Sequence, residues 1–221
     1  MIEFIILFYI IILLLTLMNI LLTPKLKKYR TRNDPMISIL IPMRNEERNV
    51  VELIENMKKL TYPNLEVIGL DDGSTDLTSQ KWVEHTRGDQ RFTLKFGNKL
   101  PEGWKGKVHA CDQLAAFSSG DKLLFLDADA RVEPSTLQHA LGVMEAFQSA
   151  MVTGFPKFPT KPFLSKLLVP FQHILVLSHL PIFMANQTTK PAFTAAHGAF
   201  LFVDKQAYSE VGGMKQSKMQ W

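Results

Sequence analysis

LLFLDADARVEP (residues 123–134) sets four apolar residues directly against two aspartates, Asp127 and Asp129, with one alanine between them. A short apolar run bounded by polar residues reads as a buried strand. In extended backbone, residues i and i+2 point to one face, so two carboxylates are expected together at the strand's carboxyl end. Like charges so placed repel unless a cation joins them or one takes up a proton. Oxygen ligands without His or Cys suit Mg²⁺ or Mn²⁺, with substrate phosphates completing the shell. A solvated pair of loop acids capping the next turn is the plainer alternative.

Outward from this stretch, strand and helix patterns alternate. ISILI (37–41) is a first strand, ended by Pro42. NEERNVVELIENMKKL (45–60) carries Val50, Val51, Ile54, Met57 and Leu60 at helical spacing. Asn45 is its expected N-cap, with Glu46 and Glu47 in the first turn, where the helix dipole favours acids. LEVIGL (65–70) is a second strand, followed by DDGSTD and a helix from about Leu77 capped by Asp76 or Thr75. RFTLKF (91–96) is a third strand, KVHACDQLAAFSS (107–119) a helix and KLLFL (122–126) a fourth strand. PSTLQHALGVMEAFQS (134–149) predicts a helix with Pro134 in its first turn. AMVTGF (150–155) and AFLFV (199–203) are further strands. Strands separated by helices imply βαβ units, hence an α/β fold with a mostly parallel sheet. Such sheets bind ligands beyond the carboxyl ends of their strands. The chemically loaded residues collect there: Arg44, Asn45 and Glu46 after the first strand, Asp71 and Asp72 after the second, Asp127 and Asp129 after the fourth.

The amino terminus has a different pattern. Phe4 to Leu22 contains no charged residue, and at ~1.5 Å per residue it can span a hydrocarbon core of ~30 Å. With MIE before it and no small-residue cleavage pattern after it, residues 1–24 read as a transmembrane anchor rather than a cleaved signal. KLKKYRTR (25–32) adds Lys25, Lys27, Lys28, Arg30 and Arg32, which predict a cytoplasmic location for the rest of the chain and attraction to anionic headgroups. A solvated juxtamembrane linker over 25–35 is equally compatible. Removing these five from the 25 Lys and Arg leaves 20 against 21 Asp and Glu, a remainder of −1. The net charge of +4 is therefore local and gives no argument for nucleic acid as a partner. The single cysteine, Cys111, excludes an intrachain disulfide. From Pro156 to Gln187 the chain is apolar but interrupted by Lys166, His173, His179 and prolines. It reads as an amphipathic segment in the headgroup zone, or as a helix covering a soluble core.

The ordered set SILIPMRNEE, EVIGLDDGSTD, GWKGKVHA, LLFLDADA and HGAFLFVDKQAYSEVGG resembles the family 2 glycosyltransferases, over about residues 36–213. The resemblance implies the GT-A nucleotide-sugar fold, a nucleotide diphosphate sugar as donor, and Mg²⁺ or Mn²⁺. It divides the chain into a nucleotide-sugar-binding half (36–155) and an acceptor-side half (156–221). The segment from Pro156 to Gly198 resembles the membrane-bound branch that glycosylates carotenoids and similar lipids, which implies a lipid-like acceptor and inversion at the sugar. By the same resemblance Pro42, Arg44 and Glu46 lie in the loop contacting the nucleotide base. Asp71 hydrogen-bonds the base, with Asp72 beside it, although Asp72-Gly73-Ser74 is also a simple turn signal. Lys107 matches the lysine of the family's Gly-Lys motif, near the diphosphate or the sugar. Asp127 and Asp129 form the D-x-D and are the implied metal residues, Asp129 the more direct ligand of the two. His197 and Gly198 stand where relatives have Asn-Gly near the acceptor, which makes His197 a catalytic candidate, a structural histidine being the alternative.

The chain departs from the family pattern after VGG. It reads VGGMKQSKMQW, with no Asp or Glu after Glu210, whereas the family carries a carboxylate base, a Q-x-x-R-W element and hydrophobic helices further on. Gln220 and Trp221 do not supply that element. The expectation is a C-terminally truncated enzyme whose base lies beyond Trp221. Two alternatives stand beside it: a catalytically inactive nucleotide-sugar-binding remnant, and a nucleotidyltransferase sharing the sheet and paired acids.

Overall fold

The computed structural model describes residues 2–23, 25, 26, 29, 31, 33–154, 177–179 and 198–215. The apolar runs become β1 (Ile37–Met43), β2 (Leu65–Asp71), β3 (Phe92–Phe96) and β4 (Lys122–Leu126). With β5 (Met151–Thr153) and β6 (Phe200–Asp204) they form one six-stranded sheet in the order β3-β2-β1-β4-β6-β5. The pairs β1–β2, β2–β3 and β1–β4 are parallel, while β6 runs antiparallel to β4 and β5. Helices among the described residues include α1 (Ile2–Leu22), α2 (Val50–Lys58), α3 (Thr78–Thr86), α4 (Gly106–Phe117), α5 (Thr136–Ala146) and α6 (Lys205–Glu210).

The central strands read as continuous apolar runs because both faces of the sheet are covered. Ile37, Ile39, Ile41 and Met43 of β1, with Leu124 and Leu126 of β4, pack toward residues of α2, α3 and α5. Leu40, Leu123 and Phe125 point the other way, onto Ala110, Cys111 and Leu114 of α4. On the first face, Gly69 lets the Trp82 indole approach β2: a Cβ built there would lie 2.8 Å from the ring.

The chain packs as two compact units, Met1–Lys25 with Pro156–Ala196, and Leu26–Phe155 with His197–Trp221. The stretch from residue 156 onward thus contributes to both, since β6 belongs to the sheet. In the first unit, α1 is long and apolar enough to cross a membrane. Its less exposed residues, Ile12, Leu15, Thr16, Asn19 and Thr23, fall on one helical stripe. Asn19 is fully buried and its amide donates to the Leu177 carbonyl at 2.7 Å. In the second unit, the described residues of the stretch after α1 touch the sheet domain. Leu26 packs against the core, the Tyr29 ring meets Phe147 edge-on at 5.4 Å, and Glu145 Oε1 accepts from Thr31 Oγ1 at 2.7 Å and Asn33 Nδ2 at 2.8 Å.

Several sequence expectations change. Pro42 lies inside β1 instead of ending it. The Met43 carbonyl points to β2, where it accepts from Asp72 N at 2.8 Å, so Pro42 faces the β4 side. The β1–β4 ladder has already stopped at Leu40, so the absent proline N–H leaves no pair broken. Asn45 is not a helix cap: α2 starts at Val50 after Asn49, and Asn45 takes a left-handed φ of 58°. Glu46 and Glu47 consequently precede the helix. Pro134 lies before α5, whose N-cap is Ser135, and its carbonyl accepts from Thr61 N and Oγ1, each at 3.0 Å. Of the 156–187 segment, only residues 177–179 are among those described.

Candidate active site

From β1 the chain steps outward through β2 to β3, then returns to place β4 on the other side of β1. The gap between β1 and β4 is therefore the switch point of the sheet, the place beyond the carboxyl ends where open α/β sheets form their ligand crevice. A separate cleft of about 550 Å³, lined by Pro35, Lys122, Met144, Glu145 and Asp204 among others, opens at the opposite, amino-terminal edge. It contains none of the residues singled out from sequence.

The loops after β1 and β2 are joined side by side. Asn45 N donates to Ser74 Oγ at 2.9 Å, and Asn45 Oδ1 accepts from Thr75 N at 2.8 Å. Glu46 N donates to Thr78 Oγ1 at 2.8 Å, Glu47 N to Asp76 Oδ2 at 3.1 Å, and Leu77 N to Glu47 Oε2 at 3.2 Å. The left-handed turn at Asn45 aims these groups across; Asn tolerates it better than most residues. The Glu46 carboxylate accepts from Asn49 Nδ2 at 2.7 Å. Partial desolvation opposes ionisation of Asp76, but hydrogen bonds from Thr78 and Glu47 outweigh it and hold its carboxyl below the usual range. Arg44 is exposed at the tip and Pro42 is half-buried below it.

Asp71 is buried and turned inward: Oδ1 accepts from Ser74 N at 2.7 Å, and Oδ2 from the Ser79 hydroxyl. It shapes the DDGS turn, whatever else its remaining lone pairs accept. Asp72 is partly exposed and points elsewhere. A Cβ built at Gly97 would lie 2.9 Å from its Oδ1, and one at Gly106 3.5 Å from its Oδ2. Its carboxylate thus fits between the end of β3 and the start of α4; a side chain at Gly97 would press on Oδ1, while one at Gly106 would make ordinary contact with Oδ2.

One residue after Gly106, Lys107 reaches across the crevice. Its Nζ lies 2.6 Å from Asp127 Oδ1; the lysine side chain is 58% exposed and the aspartate 26%. A lysine from the GWKGK stretch and an acid from DADA, twenty positions apart in sequence, meet at the switch point. The Asp127 backbone N also donates to the Ala199 carbonyl at 3.2 Å, which brings the strand preceding Asp204 beside the same acid. Gly198 is exposed there, and His197 lies outside the described residues.

The two aspartates are not both on a strand: Asp127 follows β4 directly, and Asp129 lies in a turn. Ala130 N donates to Asp127 O at 3.0 Å, closing a turn as soon as β4 ends. Ala128 is nonetheless buried, while Asp127 is partly exposed and Asp129 exposed, so the alanine faces the core and the acids do not. Both are carboxylates, the donor type that suits a hard divalent cation. Among the described residues no three His, Cys, Asp or Glu side chains form a metal cage, so donor phosphates and water would have to supply the other ligands. The residues fit that shared mode of Mg²⁺ or Mn²⁺ binding.

Sequence reading missed Gly97, Ser79, His109 and Gln113. The last two carried a signal, since polar residues at i and i+4 share one helix face, and both are buried on α4. Cys111 is an unreactive core thiol, burial pushing it up to about 12.

A family model described as Glycosyl transferase family 2 matches residues 38–212. The chain belongs to this family. The family 2 chain is 26% identical over 155 residues to the 4,4'-diaponeurosporenoate glycosyltransferase of Staphylococcus haemolyticus, covering 70% of this chain and 39% of that protein. It is 26% identical over 191 residues to the beta-monoglucosyldiacylglycerol synthase of a Nostoc species, covering 82% of this chain and 38% of that protein. The chain therefore spans about two fifths of the length of these curated relatives. Among solved structures, the mannosyltransferase PcManGT of Pyrobaculum calidifontis in complex with GDP-Man and Mn²⁺ superposes with a TM-score of 0.68 at 22% identity, covering 93% of this chain and 55% of that one. That likeness establishes a GT-A fold. Family membership sets aside the nucleotidyltransferase alternative.

Proposed function

We propose that this family 2 chain binds a nucleotide diphosphate sugar together with Mg²⁺ or Mn²⁺ and serves sugar transfer, with inversion, to a lipid-like acceptor at a membrane. The observation that carries the reading is the Lys107–Asp127 ion pair at the switch point, with Asp129 two residues further along the chain and Asp72 beside Gly106. Each group has a distinct task. The joined loops bearing Pro42, Arg44, Glu46 and Asp71 form a preordered wall for the nucleotide base. Asp127 and Asp129 would hold the cation, which would supply Lewis-acid stabilisation of the departing diphosphate. Lys107 exchanges its contact with Asp127 for the diphosphate and neutralises charge that grows in the transition state. Its exposure and flexible stem permit that exchange.

The acceptor and location rest on other observations. α1 is apolar enough to anchor the chain, and the basic stretch after it favours a cytosolic domain. One relative is named a 4,4'-diaponeurosporenoate glycosyltransferase and another a beta-monoglucosyldiacylglycerol synthase, which supports a lipid-like acceptor. The test is calorimetric titration of UDP and GDP into the chain with and without Mn²⁺. Metal-dependent binding that Asp129→Ala removes is expected; binding unchanged by that substitution contradicts the metal assignment.

A further inference from the structure

Residues 97–105 connect β3 to α4 without regular structure, and the stretch from Asn98 to Lys105 is exposed apart from Trp104. Two side-chain contacts reach this loop from the buried face of α4. Gln113 Oε1 accepts from Asn98 N at 2.8 Å, and the Trp104 ring meets the His109 imidazole edge-on at 5.3 Å. The two α4 residues are tied to each other, with Gln113 Nε2 3.1 Å from His109 Nδ1. Because the Gln113 oxygen is taken by Asn98 N–H, its NH₂ faces His109, so Nδ1 accepts and the imidazole proton sits on Nε2. His109 and Gln113 are 8% and 7% exposed. Neither faces Lys107 along the helix, since they fall about 200° and 600° of turn away from it at ~100° per residue.

The loop's two ends are what matter for the site. Its first residue, Gly97, and the residue just past its end, Gly106, are the two that flank the Asp72 carboxylate. The next residue is Lys107, paired with Asp127. We propose that Gln113, acting with His109, is a positioning residue for donor binding: it fastens the 97–105 loop so that Gly97 and Gly106 frame Asp72 and Lys107 faces Asp127. This rests on the donor-site reading of the crevice. A buried amide held on both its oxygen and its nitrogen has one orientation, and the loop inherits that order. Loss of the fork leaves the loop ends free to move by the ångström or so that orientation-dependent binding does not tolerate.

Gln113→Leu removes the bonds to Asn98 N and His109 Nδ1, with the longer one to the His109 carbonyl, at similar volume. Its expected effect is a weakening of UDP or GDP binding in Mn²⁺ by about 5- to 20-fold, the loss of one to two net hydrogen bonds. Trypsin cleavage at the exposed Lys99 and Lys105 should accelerate in parallel. Gln113→Glu is the rescue: its carboxylate accepts from Asn98 N–H and, in the other tautomer, from His109 Nδ1–H. It should restore both protection and affinity, which a general packing defect would not do. If Gln113→Leu does not fold, Asn98→Pro deletes the same bond from the exposed side and should give the same two changes. Faster cleavage with unchanged affinity overturns the proposal, as does unchanged cleavage in both variants. Failure of the unaltered chain to bind either nucleotide would instead refute the donor-site reading, and the cleavage rates would still report whether Gln113 anchors the loop.

Discussion

Replacing Lys107 with methionine keeps the aliphatic stem and deletes one charge, and the structure assigns that change opposite effects on three observables. The ion pair with Asp127 is short, but the lysine is 58% exposed, so solvent screening limits its worth to about 0.2–1 kcal/mol of stability. For a chain of this size that is a fall in Tm of about 2–4 °C at most. Donor affinity should respond far more. A charge-assisted hydrogen bond to phosphate contributes about 1.5–3 kcal/mol, which converts to a loss of about 10- to 150-fold in the Kd for UDP or GDP with Mn²⁺. Affinity for Mn²⁺ alone should move the other way, because Asp127 loses the internal cation that competes for it. Calorimetric titration of metal and nucleotide, with thermal unfolding on the same samples, separates these effects. A nucleotide Kd within about twofold of the unaltered chain, combined with unchanged Mn²⁺ affinity, would show that Lys107 serves neither donor nor metal.

Packing and hydrogen bonding elsewhere set three more expectations. Gly69→Ala sets a methyl 2.8 Å from Trp82 and the Met43 methyl; overpacking of this kind costs about 1–3 kcal/mol, readable as a lower urea midpoint. Asn45 has φ 58° and bonds Thr75 N, so Asn45→Ala should destabilise the chain by about 1–2 kcal/mol more than Asn45→Gly, because only alanine pays the left-handed penalty. The Lys122 ammonium beside Asp204, together with Ala207 N–H, holds the Asp204 carboxyl below its ordinary range. That contribution is complete above the unfolded value near ~3.9 and is lost as pH falls through the folded value. The Tm advantage of the unaltered chain over Asp204→Asn should accordingly shrink as pH is lowered from about 5 to 3.

Periodicity and chain punctuation were enough to locate β4 to the residue, to put the first three strands within a residue or two, and to predict a mostly parallel α/β sheet with its acids at the carboxyl edge. These features are local. A strand buried on both faces must be apolar throughout, and a loop that ends it must be polar. The family resemblance was also legible, because its motifs are short runs at those same strand ends. What tertiary structure decided depends on contacts between distant segments. No local rule pairs Lys107 with Asp127, or turns Asn45 into a clasp for Thr75 rather than a cap for its own helix. The direction of β6 came from its neighbour β4, and Pro42 continues β1 only because the ladder beside it has already stopped. Even the aspartates that mark the crevice are presented by a turn closed between Asp127 and Ala130, not by the pleat of a strand. Side-chain period reports which face of an element is buried; only packing of the whole chain determines what that face meets.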